Sequence, residues 1–578
     1  MPSTTSVRNH ASIVAALAVL CLLLAGCADQ PAKTAKPAGR SAAAAVPPEL
    51  RGTIAQHAII RGNTAVPVEG YCLVVGLGKN GSSEVPLFLE KYLVEYLKRQ
   101  NLGSRTHNLE QLTPMTMIRD LDTAVVQVRG IIPPGARKGS RFDLVVNALP
   151  ATQTKSLDGG RLMPTELFLY RDGVPTVGTG SQPLAMGGGD VFINPFLDVT
   201  KESDRLKFRS GRIIGGGKVL EARPLRLELY EPNWGKVSLL ARRINEAFSP
   251  NSPIAKGKNM GIDLMVPQEY EDDFEHFVQL VMHLPLASGG PATDVHATQI
   301  AKMMEVPGSK HEDLALILEA MGNNVIGTIR SCYTSSNESA AFFAARTGLR
   351  LGDDLASEVV IKFAQGKDVR LKVAAIKELG KHRRVIKAAP VLRELADDEN
   401  EHVRQAAYEA MLRRGDKTIT TINVNDDFKL DIVPSKRSYC IYATQAEESR
   451  LALFGKSMPI AKPVYFCSPD EMVTINALAE DAKLMVRRRI PGGERVSDPF
   501  YVDFRVAELV SVMGRPAVQD DEGKIAGLNL SYSQVVAAIY RMCKDNSIKA
   551  RFVLQPIIDN EIMSASPAGT SRLDMEGS

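Results

Sequence analysis

The sequence predicts a multidomain α+β protein in three parts: a mixed α/β domain, an array of paired helices, and a β-rich C-terminal region. Three observations predict it. Short β-type runs alternate with amphipathic helices over 51–286, an Ala-rich helical pattern repeats itself after 290, and a period of two governs the apolar residues after 417. The 578 residues, 44% hydrophobic and 24% charged, have ordinary globular composition and imply about three to five domains. Seventy Lys and Arg against 66 Asp and Glu leave a formal charge of +4, too balanced over this length for a nucleic-acid partner. One Trp and 6% aromatics leave little for base-stacking or sugar-binding platforms.

At the N-terminus, Arg8 and His10 precede an apolar run from Ala11 to Ala25 that only Ser12 interrupts. It is shorter than the about 20 residues a spanning helix needs and suits a signal-peptide core. The run stops at Leu24-Ala25-Gly26-Cys27, which resembles the bacterial lipobox. That resemblance implies an acylated Cys27 at the mature N-terminus, and Ala28 after it leans towards the outer membrane. An ordinary signal with a chance cysteine, or a buried helix, is the alternative; only the lipobox explains where the cysteine falls. Residues 28–50, rich in Ala, Pro, Lys and Ser, read as a tether that reaches ~70 Å when extended at ~3.1 Å per residue. No later stretch is long and apolar enough to cross a bilayer, so the expected location is periplasmic and lipid-anchored.

Over 51–286, Tyr71–Val75 reads as a buried strand, and Pro86–Arg99 as a helix with Leu87, Leu89, Leu93, Val94 and Leu97 on its stripe. Thr123–Val128 and Arg141–Leu149 are strands parted by the Pro133-Pro134-Gly135 turn. Leu225, Leu227 and Leu229 alternate with polar neighbours, Ser238–Phe248 is an amphipathic helix, Ile262–Val266 a strand, and Glu271–Leu284 a helix opened by acidic residues. From 290 to 415, Ala356, Val359, Val360, Phe363 and Ala364 recur 32 residues later as Ala388, Val391, Leu392, Leu395 and Ala396. Ala374-Ala375-Ile376 returns with the same shift as Ala406-Ala407-Tyr408. Val403-Arg404 before an Ala-rich helix resembles HEAT-type repeats, in which each pair buries its stripe only by stacking on its neighbours; a plain bundle is the alternative. Gly415-Asp416 closes the array. Thr418–Val510 reads as β-rich within a region bounded at 417–520. The segment 521–557 holds a helix, Gln534–Cys543, capped by Ser531 or Ser533, and a strand, Arg551–Leu554. The tail 558–578 reads as disordered.

Few residues point to chemistry. Gly76-Leu77-Gly78-Lys79-Asn80-Gly81 matches the dinucleotide fingerprint between a strand and a helix, but Ser82–Val85 intervene before the helix, and the candidate ribose acid, Glu110, lies in a polar stretch. No cofactor is expected. His276 and His283 lie beside Glu269, Glu271, Asp272, Asp273 and Glu275, where a solvated acidic face is a better reading than a metal site. Cys440 and Cys467 form a candidate disulfide, although spacing fixes no connectivity. The basic clusters Arg137-Lys138 with Arg141, Lys381–Arg384, and Arg487–Arg489 read as solvated loops or as contacts to an acidic surface or to carboxylates of cell-wall stem peptides. Gly187–Gly189 and Gly215–Gly217 mark turns or close subunit approach.

A longer set of residues resembles the bacterial flagellar P-ring protein family. It runs from Gly70-Tyr71-Cys72-Leu73-Val74-Val75-Gly76-Leu77 through Ala124–Val128 and Ile132–Val146, where the second strand carries Asp143. Gly159–Thr165 is similar to the family's "GGxLxxTPL" segment, and Leu225–Phe248 to a later strand and helix. Ser531–Leu554 matches its closing helix, turn and strand, with Asn546 at the helix-ending glycine, a position αL backbone permits. The likeness covers about 57–286 and 525–555. The lipid-bearing cysteine, the repeats at 290–415 and the region 417–520 depart from it. The resemblance implies a structural protein, not an enzyme. Its copies would form a homo-oligomeric ring in the envelope, with the flagellar rod, the L-ring or peptidoglycan as further partners and the membrane reached through the lipid. The alternative is a non-flagellar envelope scaffold or binding lipoprotein on the same fold.

Overall fold

The computed structural model describes residues 47–100, 113–170, 182–249, 251–271, 273–287, 291–468, 471–489, 496–517 and 527–557. The leader with Cys27, most of the tether, Glu110, Asp272 and the tail lie outside them.

Residues 51–286 build two cores. Six antiparallel strands, β2 (Val66–Val75), β3 (Thr123–Ile132), β4 (Arg141–Ala148), β5 (Arg161–Leu169), β6 (Ala185–Asp190) and β7 (Ser210–Val219), close into a barrel in the order β2-β3-β4-β7-β6-β5. Phe142, Leu144, Leu167 and Ile213 belong to its buried core. The glycine tracts make room for them. Gly187 and Gly217 face each other across β6 and β7, and a Cβ would meet Leu144 at 2.8 Å from Gly187 and the Phe142 ring at 2.5 Å from Gly217. These two glycines therefore serve neither turns nor subunit contacts; they admit large side chains to a small barrel. Helix α1 (Leu87–Arg99) lies on the barrel through Leu89, Leu93, Tyr96 and Leu97. Its first residues depart from the expected stripe: Leu87 is 87% exposed.

The second core joins β1 (Ala58–Arg61), β8 (Leu225–Leu229), β9 (Ala255–Lys258) and β10 (Gly261–Leu264), ordered β1-β8-β10-β9, with helices α2 (Trp234–Phe248) and α3 (Phe274–His283). The leucine alternation of β8 is seen as buried, half-buried and exposed positions in turn.

The array comprises α4 (Pro291–Glu305), α5 (His311–Met321), a run of single helical turns from Asn323 to Thr334, α6 (Glu338–Arg350), α7 (Asp354–Ala364), α8 (Val369–Lys381), α9 (Ala388–Leu395) and α10 (Glu401–Arg414). The 32-residue shift superimposes α7 on α9 and α8 on α10. The repeated positions Ala356, Val360, Ala364, Ala388, Leu392 and Ala396 are all fully buried. Gly415 caps α10 in the left-handed region at φ 68°.

Beyond the array, β11 (Thr420–Asn423), β12 (Lys429–Val433), β13 (Cys440–Ala443) and β14 (Arg450–Phe454) join β19 (Arg551–Leu554) in one mixed sheet, ordered β11-β12-β14-β13-β19. A second sheet holds β15 (Val464–Cys467), β16 (Val473–Ala477), β17 (Leu484–Arg488) and β18 (Phe500–Val502) in sequence order. Both sheets share one core with α11 (Val506–Gly514) and α12 (Tyr532–Lys544). Two expectations are corrected here. Val506–Val510 is helical rather than β, and 521–557 is no separate segment, because β19 pairs in parallel with β13. Ser531 caps α12 in a reciprocal box with Gln534, while the Ser533 hydroxyl accepts the Ile193 amide at 3.0 Å and fastens the barrel to the helix.

Candidate functional site

One end of the barrel, where β2 finishes and β3 and β5 begin, faces α12 and the second C-terminal sheet across a cleft of about 1750 Å³. The fingerprint loop lines it. The loop's amides serve its own fold, however: Leu77 and Gly78 donate to the Asp122 carbonyl and Oδ1 at 3.0 and 2.6 Å, Asn80 to the Leu77 carbonyl at 3.1 Å, and Gly81 to the Leu121 carbonyl at 3.0 Å. Helix α1 starts only at Leu87, after Pro86. These amides offer no cradle to a pyrophosphate, which needs free N–H groups at a helix start.

The cleft is cationic, with eight Lys and Arg side chains against four carboxylates among the described residues. Several of the cations are engaged. Arg209 holds the Leu149 and Thr152 carbonyls, Arg488 those of Leu528 and Asn529, and Arg489 the Glu471 carboxylate. Among the described residues, Lys79, Lys155 and Arg205, exposed on the barrel rim, make no side-chain hydrogen bond or ion pair. At the floor, Arg161 stands 2.9 Å from Asp190 on β6 and 4.0 Å from Asp427 of the C-terminal unit. Burial pushes the Asp190 carboxyl up to about 6; the Asp427 charge adds to the rise and Arg161 opposes it.

Asp143, the acid of the second family-like strand, is a junction. It accepts the amides of Gly215 at 2.7 Å and of Glu447, in the β13–β14 turn, at 3.2 Å, and pairs with Arg212 at 3.4 Å. Sequence reasoning singled out the residue without its role, because its partner lies 304 residues away. The residues Lys79, Lys155, Arg205, Asp190 and Asp427 were not singled out for chemistry; the literal glycine motif was the signal that led to this loop.

The remaining candidates are dispersed. His276 meets Glu319 at 2.6 Å and His283 meets Asp313 at 3.3 Å, each about 11% exposed, so the two pin α3 to α5 separately. The acidic face is likewise not simply solvated: Glu271 pairs with Arg137, and Asp273 with Lys381 at 2.5 Å. Cys440 is buried on β13 and Cys467 exposed at the end of β15; both are free thiols on different sheets, so the candidate disulfide is not formed. In the second basic cluster, Arg383 donates to the Arg413 carbonyl at 2.6 Å, while Arg414 returns bonds to the carbonyls of Leu379, His382, Arg383 and Val385 at 2.6–3.2 Å. Guanidinium groups here cap the last carbonyls of α8 and α10. Among the described residues no helix is long and apolar enough to cross a membrane.

Barrel, α/β companion, repeat array and charged cleft together define a multidomain α+β protein with a helical-repeat unit. The model of the family described as "Flagellar P-ring protein" matches residues 53–322, so the family stretch runs past the expected limit at 286 and takes in α4 and α5 of the array, and that of "HEAT repeats" matches 318–422. A flagellar P-ring protein of Thermotoga petrophila is 30% identical over 251 residues, 41% of this chain and 67% of the relative. One of Geobacter sulfurreducens is 24% identical over 329 residues, 54% of this chain and 82% of the relative. One of Geotalea uraniireducens is 30% identical over 226 residues, 37% of this chain, and there the match spans only 55% of the relative. The chain belongs to the flagellar P-ring protein family.

Proposed function

We propose that this chain is a structural subunit of the flagellar basal body, acylated at Cys27, tethered to the outer membrane from the periplasmic side, and assembled with its own copies into a ring around the rod. The observation that carries the reading is family membership over 53–322, the stretch that forms the barrel, its α/β companion and the first two helices of the array. A ring needs heterologous contacts that close by rotation. The L-ring and peptidoglycan are its further neighbours, and the protein performs no reaction. A clean deletion tests this: swimming is lost and the ring is missing from basal bodies, whereas wild-type swimming with complete rings refutes it.

The helical array favours a second reading. Residues 318–422 match HEAT repeats, a surface for another envelope protein that a ring subunit does not require. A non-flagellar scaffold on the same fold predicts a genome without rod and hook genes.

A further inference from the structure

Among the described residues, the Lys79, Lys155 and Arg205 side chains on the cleft rim have no hydrogen-bond or ion-pair partner. We infer that the cleft between the barrel and the C-terminal unit docks an extended, carboxylate-rich polypeptide segment of a second protein.

Size comes first. At about 1750 Å³ the cleft exceeds the ~300–1,000 Å³ of small-molecule pockets. A phosphate-bearing ligand is disfavoured by the backbone. The glycine-loop amides bond to Asp122 and Leu121, and the N-terminus of α12, which also lines the cleft, is closed by its Ser531–Gln534 box. Recognition falls to long, mobile side chains, which suit dispersed carboxylates. Nucleic acid and glycan both favour aromatic platforms, and the only described aromatic in the lining, Phe208, is 7% exposed. Apolar surface stands beside the charge: Leu206, next to Arg205, is 75% exposed, and Val199 44%. An acidic segment carrying an occasional aliphatic residue complements both features.

A second copy of this chain is a poor source of that segment. Among the described residues, several carboxylates of its acidic stretches are paired internally. Glu271 and Asp273 pair with Arg137 and Lys381; Asp398 pairs with Lys372, Glu399 with Arg437, and Glu401 with Arg551. With these acids engaged, a different polypeptide is the better source.

The test uses the full chain and a fluorescent oligoglutamate peptide with interspersed leucines, followed by anisotropy. Binding is expected at low ionic strength, weakening as salt rises. The variant Lys79→Glu/Lys155→Glu/Arg205→Glu loses about tenfold or more in affinity with an unchanged melting midpoint. The control Lys138→Glu/Lys362→Glu/Lys367→Glu, at exposed sites elsewhere, retains it. Equal loss in both variants, no binding by the native chain, or displacement of the peptide by inorganic phosphate overturns the proposal. So does a rim variant that alters self-association while still binding the peptide.

Discussion

Replacing Arg350 with methionine removes the guanidinium that Glu319 and Glu378 share at the heart of the array. In the native chain Arg350 grips Glu378 with two bonds, Nε to Oε1 at 2.7 Å and a terminal nitrogen to Oε2 at 2.9 Å, and reaches Glu319 at 3.1 Å. The three side chains are 12%, 7% and 9% exposed, so water cannot take over the lost role. Stranding a buried charge in this way costs about 3–5 kcal/mol, a fall in melting midpoint of roughly 6–20 °C for a unit of this size. The pH dependence gives a second, independent readout. Burial pushes the Glu378 carboxyl up, but the bond and charge of Arg350 outweigh it and hold the group down at about 2. A folded-state value below the ordinary ~4.3 contributes stability that is present above that ordinary value and is lost as pH falls towards 2. Without the guanidinium, burial is opposed only by the lesser influence of the His382 and Lys381 charges, so the loss of stability on acidification shrinks in Arg350→Met. Thermal melts of both proteins from neutral pH down to about 2 decide the matter. A loss below about 1 kcal/mol, the scale of a solvated surface pair, or parallel pH profiles, would refute the reasoning.

Asp190→Asn tests the cleft floor. With the carboxyl raised to about 6, its contribution is present below the ordinary ~3.9 and is lost as pH rises through 6, so hydrogen-exchange protection at the barrel–C-terminal junction, taken relative to the intrinsic rate at each pH, should fall over that window in the native chain and stay flat in the variant. Gly217→Val drives a side chain into the Phe142 ring and should cost about 1–3 kcal/mol by denaturant unfolding. Tyr408→Phe removes the 2.6 Å bond from α10 to Asp431, which is fully buried at the edge between array and sheet, and should cost about 1.5–3 kcal/mol in the same assay.

Local features were legible in the sequence wherever a residue's own neighbours decide its state. The strand at Arg551–Leu554, the α12 cap at Ser531, the glycine stop at 415 and the 32-residue shift from Ala356 to Ala388 all follow from period and capping chemistry. Asn546 adopts φ 58°, the left-handed conformation its position demanded. What escaped depends on partners far away in the chain. Closure of the barrel by β2 and β5, the return of β19 to β13 and the bond from Asp143 to Glu447 leave no periodic trace. The glycine tracts misled for the same reason, since the Phe142 and Leu144 side chains that require Gly217 and Gly187 sit on a strand some 40 to 75 residues away along the sequence. In the site, the glycine motif located the loop, but Asp122, which takes up its amides, follows a polar stretch of sequence and gave no signal of its own.

The most direct trial of the central claim, that copies of this chain close into an annulus, is cryo-electron tomography of envelopes carrying a tagged version. Closed rings of tag density around the rod at basal bodies are the predicted result. Tag density scattered along the wall, with basal bodies ringed as usual in its absence, would contradict the claim.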